Sequence, residues 1–371
     1  MADRGGKKLR GALVGYGFIG GLGHVPAYLE RAKSSNDVDL VAIADICAAR
    51  RELAKKALPE ARIYETYEQL LANEKQLDFL DVATPPCDHA KIAKAGFERG
   101  LHVLCEKPLT TTLEDAAMLL QTAQKHQRVL FPAHNYKHAP VVKAIQKIIA
   151  AGVIGKVRSV TLSTFRNTHA KGVTEWNTHW RREHRYSGGG IAMDHGSHSF
   201  YLTFDWMQGH PTAVTAKMSN LDADKYDTED NFTASLTFPG GVAHAQLTWT
   251  AGVRKVIYTV QGSQGAITVD DDELQLAVMK KTDGPDVAQG AVTWEVEKRS
   301  ISSKWMDASH VSWFNALFDQ FKLAIDQNDY VGHEARDAYR CIELITTAYR
   351  SAREGCKELP LGAPYPDGIR G

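Results

Sequence analysis

The chain has 371 residues, of which 43% are hydrophobic and 24% are charged, and its 44 basic and 44 acidic side chains give a formal net charge of zero. This length predicts two domains, and the composition is typical of a globular protein. The balanced charge argues against a nucleic-acid partner, and no apolar run approaches the roughly 20 residues that span a bilayer. We therefore expect a small-molecule ligand and neither a nucleic-acid nor a membrane partner.

The cysteines and the first residues of the chain bear on its compartment. The five cysteines are far apart in the sequence and form no CxxC pair. Scattered cysteines of this kind are typical of reduced thiols in the cytosol. The first residues run directly into a strand-like segment and lack the apolar region and cleavage site of a signal peptide. We expect a cytoplasmic protein.

Residues 1–133 are predicted to form the first domain, since short apolar strands alternate with amphipathic helices there. The predicted strands are 9–17, 37–45, 77–84, 102–107 and 128–133, and the predicted helices are 24–32, 47–58, 66–73, 88–99 and 112–127. Alternation at this spacing predicts right-handed crossovers and a doubly wound parallel sheet, the Rossmann arrangement of the α/β class.

Residues 134–371 are predicted to form a second, α+β domain with a large, mostly antiparallel sheet. Residues 232–238 alternate apolar and polar side chains, 239–241 read as a turn, and 242–250 alternate again, which predicts a hairpin. Segments 256–262 and 266–279 extend it. The chain ends with helical patterns, among them an apolar stripe at Trp313, Leu317, Phe321 and Ala324. These C-terminal helices could pack back on the first domain.

A glycine-rich turn follows the first predicted strand. Gly15, Gly17 and Gly20 match G-x-G-x-x-G between a strand and a helix, with Phe18 and Ile19 as the intervening pair. The first glycine permits a tight turn, the second lets the backbone approach a pyrophosphate, and the third allows close helix–strand packing. The helix N-terminus adds free N–H groups for the phosphates. An extra glycine after the motif predicts a distorted first turn of the helix.

An acidic residue ends the second predicted strand. Asp45 lies thirty residues after Gly15, where a carboxylate accepts hydrogen bonds from the ribose hydroxyls of a dinucleotide. A carboxylate there would repel the 2′-phosphate of NADP, so the sequence favours NAD. Arg50 and Arg51 follow closely and keep NADP possible.

Two further clusters combine strand ends or glycines with ionisable side chains. Lys107 lies at the end of the strand 102–107, where open α/β sheets bind ligands, although a lysine in a loop is more often simply exposed to solvent. Residues 187–198 hold three consecutive glycines before Asp194 and His198. A helix beginning near Gly190 would bring these two side chains to one face, as acid–base catalysis needs, although such pairs often make only a surface hydrogen bond.

These motifs together resemble the glucose–fructose oxidoreductase / inositol dehydrogenase / MocA (Gfo/Idh/MocA) family over nearly the whole chain. The similar segments are the glycine turn, 83–86 with His89, the tripeptide 106–108, Trp180-Arg181 with the region 188–198, the segment 262–266 and the helix around 351–352.

The resemblance implies roles for particular residues. His198 would be the general base that takes the proton of a substrate hydroxyl, Lys107 would stabilise the reacting oxygen, and Asp194 would bind neighbouring hydroxyls and orient His198. The resemblance further implies two sets of contacts. The cofactor would contact Thr84, Pro85, His89, Glu106, Lys107 and Asn135, and the substrate would contact Lys107, Asn135, Trp180, Arg181, Asp194 and His198.

Some residues depart from the family pattern or remain open. Lys137 replaces the usual arginine, and the Lys107–Pro108 bond is often cis in relatives. His134 with His138, and His195 with His198, have spacings that zinc sites use, but without the cysteines or third ligand that usually complete such sites, so we expect no metal. His169, His179 and His184 lie near Trp176 and Trp180, which suits either a sugar ring or ordinary loop packing.

The leading interpretation is an NAD-dependent oxidoreductase that moves a hydride between nicotinamide and a secondary hydroxyl of a sugar, glycoside or cyclitol. Two alternatives stay open. One is a glycoside-cleaving enzyme that oxidises its substrate transiently and recycles NAD in place, and the other is a non-catalytic dinucleotide sensor. The retention of Lys107 and His198 argues against a sensor. The resemblance also implies a homodimer or homotetramer.

Overall fold

The computed structural model describes residues 8–281, 292–302 and 310–369. Its first sheet contains six strands, all paired in parallel, in the order β3-β2-β1-β4-β5-β6. The strands are β1 Leu9–Val14, β2 Val38–Ala44, β3 Arg62–Tyr64, β4 Phe79–Val82, β5 His102–Cys105 and β6 Leu130–Pro132. The predicted parallel sheet of the Rossmann type is confirmed, with β3 as an additional short strand.

Five helices connect these strands: α1 Val25–Ser34, α2 Ala48–Ala57, α3 Tyr67–Asn73, α4 His89–Glu98 and α5 Leu113–His126. Thr66 and Thr112 cap α3 and α5, since their hydroxyls accept the N–H groups of Gln69 and Asp115. The predicted distortion after the glycine turn is confirmed, because a π-helical turn at Gly20–His24 precedes α1. That wider turn absorbs the extra glycine residue.

Among the described residues, the second sheet has nine strands in the order β14-β13-β12-β11-β7-β10-β9-β8-β15. They are β7 Val157–Phe165, β8 Ala213–Ser219, β9 Asn231–Phe238, β10 Gly241–Thr248, β11 Lys255–Gly262, β12 Gly265–Asp270, β13 Glu273–Lys281, β14 Val292–Ser300 and β15 Leu359–Pro360. All the pairings are antiparallel except that of β7 with β10. The predicted hairpin is confirmed in β9 and β10, with Phe238 opposite Gly241.

The remaining helices pack against the second sheet, against one another or against the first sheet. They are α6 Pro140–Ala150, α7 His184–Ser187, α8 Ile191–Asp194, α9 Gly196–Met207, α10 Val311–Asp326 and α11 His333–Arg353. In α10, Phe318 and Phe321 contact the ring of Phe79 in β4, and Phe321 also contacts Phe131 in β6. A helix from the end of the chain thus completes the core of the first sheet.

Two further observations concern the cysteines and the lengths of the helices. All five cysteines are free. None of the helices in the described part of the chain is long and apolar enough to cross a bilayer.

Candidate active site

A cavity of about 620 Å³ extends from the glycine turn after β1 to the face of the second sheet that α8 and α9 cover. Its walls include most of the residues that the sequence predicts for the site. These are Gly15, Gly17, Phe18, Ile19, Asp45, Thr84, Pro85, Glu106, Lys107, Asn135, Trp180, Arg181, Asp194 and His198. The structure therefore brings residues from both sheets to one place, at the carboxyl edge of the parallel strands.

The three glycines of the turn have three different surroundings. Gly15 has φ +99°, and a Cβ atom there would come within 2.6 Å of the main-chain oxygen of Ala83. A Cβ atom on Gly20 would come within 2.2 Å of the main-chain oxygen of Gly15. Gly17 has open space where its Cβ atom would lie, and it lines the cavity. Gly15 and Gly20 thus close the turn, and Gly17 leaves room for a pyrophosphate against the backbone.

Asp45 holds the glycine turn from the end of β2. Its two carboxylate oxygens accept the main-chain N–H groups of Tyr16 at 2.7 Å and Cys47 at 2.8 Å, and burial raises its pKa although these hydrogen bonds oppose the shift. Each oxygen keeps a lone pair for a ribose hydroxyl. Arg50 donates to the main-chain oxygens of Tyr16 and Gly17, at 2.7 and 3.3 Å. Arg50 therefore braces the turn.

A buried ionic cluster lies behind the turn. The ring of His24 lies 2.7 Å from Asp81 Oδ2 through Nδ1 and 3.0 Å from Glu106 Oε1 through Nε2. Burial alone would lower the pKa of His24, but the two carboxylates raise it to about 10. Glu106 Oε2 also accepts the main-chain N–H of Lys107 at 3.0 Å. A protonated His24 thus fixes the carboxylate that precedes Lys107.

Two of the predicted cofactor contacts, Gly20 and His89, are not among the residues that line the cavity. The ring of His89 is fully buried and bridges the main-chain oxygens of Thr84, at 2.8 Å, and Pro108, at 2.9 Å. Burial lowers the pKa of His89, and the neutral ring has one N–H, so it donates to one of these two oxygens while its other nitrogen only lies close to the second. Its place in the structure is behind the cavity wall, where it ties the segment after β4 to the segment after β5.

Lys107 is directed into the cavity and bound to Asp194. The Lys107–Pro108 peptide bond is cis. Lys107 Nζ donates to the main-chain oxygen and to Oδ1 of Asp194, both at 3.0 Å, and Arg181 Nε lies 3.6 Å from the same Oδ1. Burial would raise the pKa of Asp194, but the charges of Lys107 and Arg181 hold it well below 3.8. The carboxylate is thus ionised between two cations.

His198 takes its hydrogen-bond partner from its own helix. Its Nδ1 lies 2.6 Å from the hydroxyl of Tyr201, one turn further along α9, and its ring stacks on Tyr136 at 3.8 Å between centroids. The predicted helix at 191–198 is present with a break at His195, but Asp194 is directed to Lys107, and the hydrogen bond at His198 comes from Tyr201 instead. The physical reason is the charge on Lys107, which attracts a carboxylate more strongly than a neutral ring does.

The neutral state of His198 follows from its surroundings. Burial lowers the pKa of His198 well below 6.5, and the charge of Lys107 lowers it further. A neutral imidazole can accept a proton at one nitrogen. Since Nδ1 faces Tyr201, Nε2 is the nitrogen that remains for a ligand in the cavity.

Asn135 and Lys137, two residues apart, point in different directions. Asn135 lines the cavity from the 3₁₀ turn Asn135–His138. Lys137 is buried and contacts Glu334 and Asp337 of α11, at 2.9 and 3.1 Å. Glu334, Asp337 and His333 lie close enough together to suggest a metal ion, but the Lys137 ammonium already provides a cation for both carboxylates. Lys137 thus joins two elements and lies away from the cavity.

The sequence analysis missed two arginines and left the aromatic region open. Arg166 and Arg254 line the cavity. Arg166 follows β7 and Arg254 precedes β11, and no sequence motif marks either residue. His169, Trp176 and Trp180 also line it, and His169 Nε2 lies 2.9 Å from Nδ1 of His179. His184 is exposed. Tyr201 could have been found from the sequence, since it lies three residues after His198 on one helix.

Two family models match the chain. Residues 9–134 match the oxidoreductase family with an NAD-binding Rossmann fold, and residues 142–268 match the GFO/IDH/MocA C-terminal domain. The chain belongs to the Gfo/Idh/MocA oxidoreductase family. It is therefore an NAD-binding oxidoreductase, and the family predicted from its motifs is confirmed.

The sequences of known relatives align with different fractions of this chain. An uncharacterised oxidoreductase of Synechocystis is 28% identical over 59% of this chain, and the match spans 57% of that protein. D-apiose dehydrogenase of Paraburkholderia graminis is 24% identical over 94% of this chain and 89% of its own length. Among solved structures, GenD2 from gentamicin A biosynthesis, in complex with NAD, is 26% identical with a TM-score of 0.78, covering 98% of this chain and all of GenD2.

The dinucleotide end of the cavity fits NAD on its own geometry. Gly17 leaves the space that a pyrophosphate needs, and Asp45 lies at the end of the neighbouring strand with lone pairs for ribose hydroxyls. Arg51 donates to the main-chain oxygen of Asp45 at 2.8 Å, and Arg50 braces the glycine turn. Both arginines that kept NADP possible are thus engaged with the backbone around the turn.

Proposed function

We propose that this protein oxidises a secondary hydroxyl of a sugar, glycoside or cyclitol to a ketone, and catalyses the reverse reduction. The observation that carries the proposal is that Lys107, Asp194 and His198 line one cavity with the glycine turn that fits NAD. NAD, when bound, supplies the nicotinamide that accepts or returns a hydride. The remaining chemistry is the movement of one proton and the stabilisation of one oxygen.

We assign to His198 the role of accepting the proton of the substrate hydroxyl. If the Nδ1–H of His198 donates to Tyr201 Oη, then Nε2 carries a lone pair and can accept the proton of the substrate hydroxyl. Tyr201 Oη has two lone pairs. One accepts the main-chain N–H of Tyr136 at 3.2 Å, and the other can accept the bond from His198. The lowered pKa of His198 supports this role, since the ring is neutral at physiological pH.

We assign to Lys107 the role of stabilising the negative charge on the reacting oxygen. As the proton leaves, negative charge grows on the substrate oxygen, and a cation directed at that position lowers the barrier. Lys107 Nζ makes two of its three possible hydrogen bonds to Asp194, which leaves one for a substrate oxygen. Asp194 and Asn135 are proposed to bind neighbouring hydroxyls, and Trp180 to pack against the sugar ring.

The test is a panel of sugars, glycosides and inositols scored by NAD reduction at 340 nm, with NADP in parallel and nitrophenyl glycosides included. We expect NADH to accumulate with at least one secondary alcohol. Release of nitrophenol without NADH would indicate the glycoside-cleaving alternative instead. If no compound reduces NAD or is cleaved while NAD still binds, the dehydrogenase proposal is wrong and a dinucleotide sensor is favoured.

A further inference from the structure

Two arginines face each other at the cavity end of the second sheet. Lys255 pairs with Phe165 in the antiparallel register of β11 and β7, so the next positions outward are Arg254 and Arg166. Val256 and Thr164, two residues further along each strand, are buried on the covered face of the sheet. Because side chains alternate along a strand, Arg254 and Arg166 continue this row on the same face, and both line the cavity.

Such a pair is unfavourable by itself. Like charges directly opposite each other on neighbouring strands destabilise a sheet. Burial lowers the pKa of Arg254, and the charge of Arg166 lowers it further, while the acidic neighbour Asp271 opposes the shift. Asp271 accepts the main-chain N–H of Val256 at 2.8 Å and is not among the residues that line the cavity. Both arginine side chains line the cavity.

One of the two arginines also has a hydrogen-bond donor that protein atoms leave unused. Arg166 Nε is buried and has no hydrogen-bond partner among the described residues. A buried donor without a partner is unfavourable because its lost hydration is not replaced, so its retention suggests that a ligand supplies the acceptor. The guanidinium fork binds carboxylate and phosphate oxygens with two parallel hydrogen bonds.

The pair lies close to the proposed catalytic groups. The charge of Arg166 lowers the pKa of His195, whose Nε2 lies 3.9 Å from Asp194 Oδ2. Tyr136, a near neighbour of Arg254, stacks on His198. Asp194 is already bound by Lys107 and Arg181, and Glu106 by His24. Asp194 and Glu106 therefore already have cationic partners other than Arg166.

We propose that Arg166 and Arg254 bind an anionic substituent of the substrate, a carboxylate or a phosphate, so that the preferred sugar is acidic. This inference rests on the proposed function, since it assigns the substrate class of the same cavity. It further assigns the carboxylate or phosphate to the same cavity that His195 and His198 line.

The test compares hexoses that differ only at C6. Glucose, galactose and mannose are each assayed as the neutral sugar, the 6-carboxylate and the 6-phosphate, with kcat/KM measured by NAD reduction in the wild type, Arg166→Gln and Arg254→Gln. Arg158→Gln is the matched control, because Arg158 lies in β7, the strand that Arg166 follows, but is exposed and donates to the main-chain oxygen of Gly240. Circular dichroism establishes that each variant is folded.

We expect an acidic member of at least one series to exceed its neutral parent by about tenfold or more. Arg166→Gln and Arg254→Gln should lower that acidic-to-neutral ratio by at least about tenfold, and Arg158→Gln should leave it unchanged. Preference for the 6-carboxylate or for the 6-phosphate identifies which oxyanion is bound. Neutral sugars that react as well as acidic ones in every series, with a ratio that neither cavity variant changes, would overturn the anion site while the dehydrogenase assignment stands.

A direct binding measurement separates this inference from the proposed function. Calorimetric titration of the NADH-bound protein with the same sugars needs no turnover. If no sugar is oxidised but an acidic sugar binds the wild type at least about tenfold more tightly than it binds Arg166→Gln, the anion site is upheld and the proposed reaction fails. If acidic and neutral sugars bind equally to both proteins, the anion site is wrong.

Discussion

Lys107 Nζ lies 3.0 Å from both the main-chain oxygen and Oδ1 of Asp194. Lys107 lies shortly after β5, at the carboxyl edge of the parallel sheet, and Asp194 is the last residue of α8. The two side chains come from segments that are 87 residues apart in the chain. The contact therefore holds the Lys107 ammonium group, which is proposed to stabilise the substrate oxygen, where both sheets contribute to the cavity.

Replacing Lys107 tests its role directly. Lys107→Met keeps much of the side-chain volume but removes the charge that would stabilise the substrate oxygen. We expect kcat at saturating substrate to fall by at least about 10²–10³-fold, as when an oxyanion-stabilising donor is removed. NAD affinity, measured by fluorescence titration, should stay within a few-fold, because the glycine turn is not altered.

The matched control for that variant is Lys94→Met. Lys94 is an exposed residue of α4 that pairs with Glu98 at 3.6 Å and does not line the cavity. This control should keep the wild-type rate. A Lys107→Met enzyme with near-normal turnover would contradict the assignment of Lys107 to the reacting oxygen.

The first sheet was predictable because its elements carry local signals. Buried strands such as β1 and β4 are short apolar runs between helical patterns, and the glycine motif marks the turn after β1. β3 was missed because it has three residues, none of them buried. The strand β7 was not predicted either, and its parallel pairing with β10 depends on contacts that no local pattern specifies.

The site was predictable only where a motif marks a residue. Lys107, Asp194 and His198 belong to recognisable segments, and the cavity contains all three. The opposition of Arg166 and Arg254 depends on the register of two strands far apart in the sequence, which alternation alone does not specify. The partner of His198 was wrongly predicted because spacing placed Asp194 and His198 on one face without revealing that Lys107 reaches the carboxylate.

The pH dependence of oxidation should reflect the lowered pKa of His198. A general base works in its unprotonated form, and burial together with the charge of Lys107 lowers this pKa well below 6.5. We expect the acidic limb of kcat/KM to lie well below pH 6.5, so that activity is retained in mildly acidic buffer. Initial rates in buffers of constant ionic strength test this. A limb at or above pH 6.5 would show that another group titrates.

Tyr201 is expected to be a positioning residue for His198. Tyr201→Phe removes the hydroxyl beside Nδ1, so the ring can adopt the tautomer that carries its proton on Nε2. Loss of one buried hydrogen bond, worth about 1–3 kcal/mol, corresponds to a decrease in kcat of about 5- to 150-fold. KM should change little, and the acidic limb of the pH profile should move.

The control for Tyr201 is Tyr339→Phe. Tyr339 is a buried residue of α11 whose hydroxyl bonds to the main-chain oxygen of Pro364 at 3.1 Å. Its loss removes a comparable hydrogen bond away from the cavity and should leave kcat and the pH profile unchanged. Equal effects of the two variants would mean that Tyr201 acts only through stability.

Asp45 is expected to determine the choice between NAD and NADP. Asp45→Ser removes the negative charge near the ribose, so NAD should bind several-fold more weakly and NADP relatively better. Because Asp45 also accepts the N–H groups of Tyr16 and Cys47, Asp45→Asn is a useful companion that removes the charge and retains one acceptor oxygen. Dissociation constants for both dinucleotides provide the measurement. A wild-type protein that prefers NADP would refute the ribose argument.

His24 is expected to stabilise the fold through its charge. His24→Gln leaves the carboxylates of Asp81 and Glu106 buried without a cation, so the free energy of unfolding should fall by about 3–5 kcal/mol. The pKa of His24 is raised from 6.5 to about 10 in the folded protein. Its stabilising contribution is therefore fully present below pH 6.5 and is lost as the pH rises towards 10.

The difference in melting temperature between the wild type and His24→Gln should accordingly shrink between pH 6.5 and pH 10. Differential scanning fluorimetry across this range measures it. His244→Gln is the control, since His244 is exposed on β10 and hydrogen-bonded to Ser235, and it should change the melting temperature little at any pH. A difference for His24→Gln that stays constant with pH would mean that His24 is neutral in the folded protein and stabilises it by packing alone.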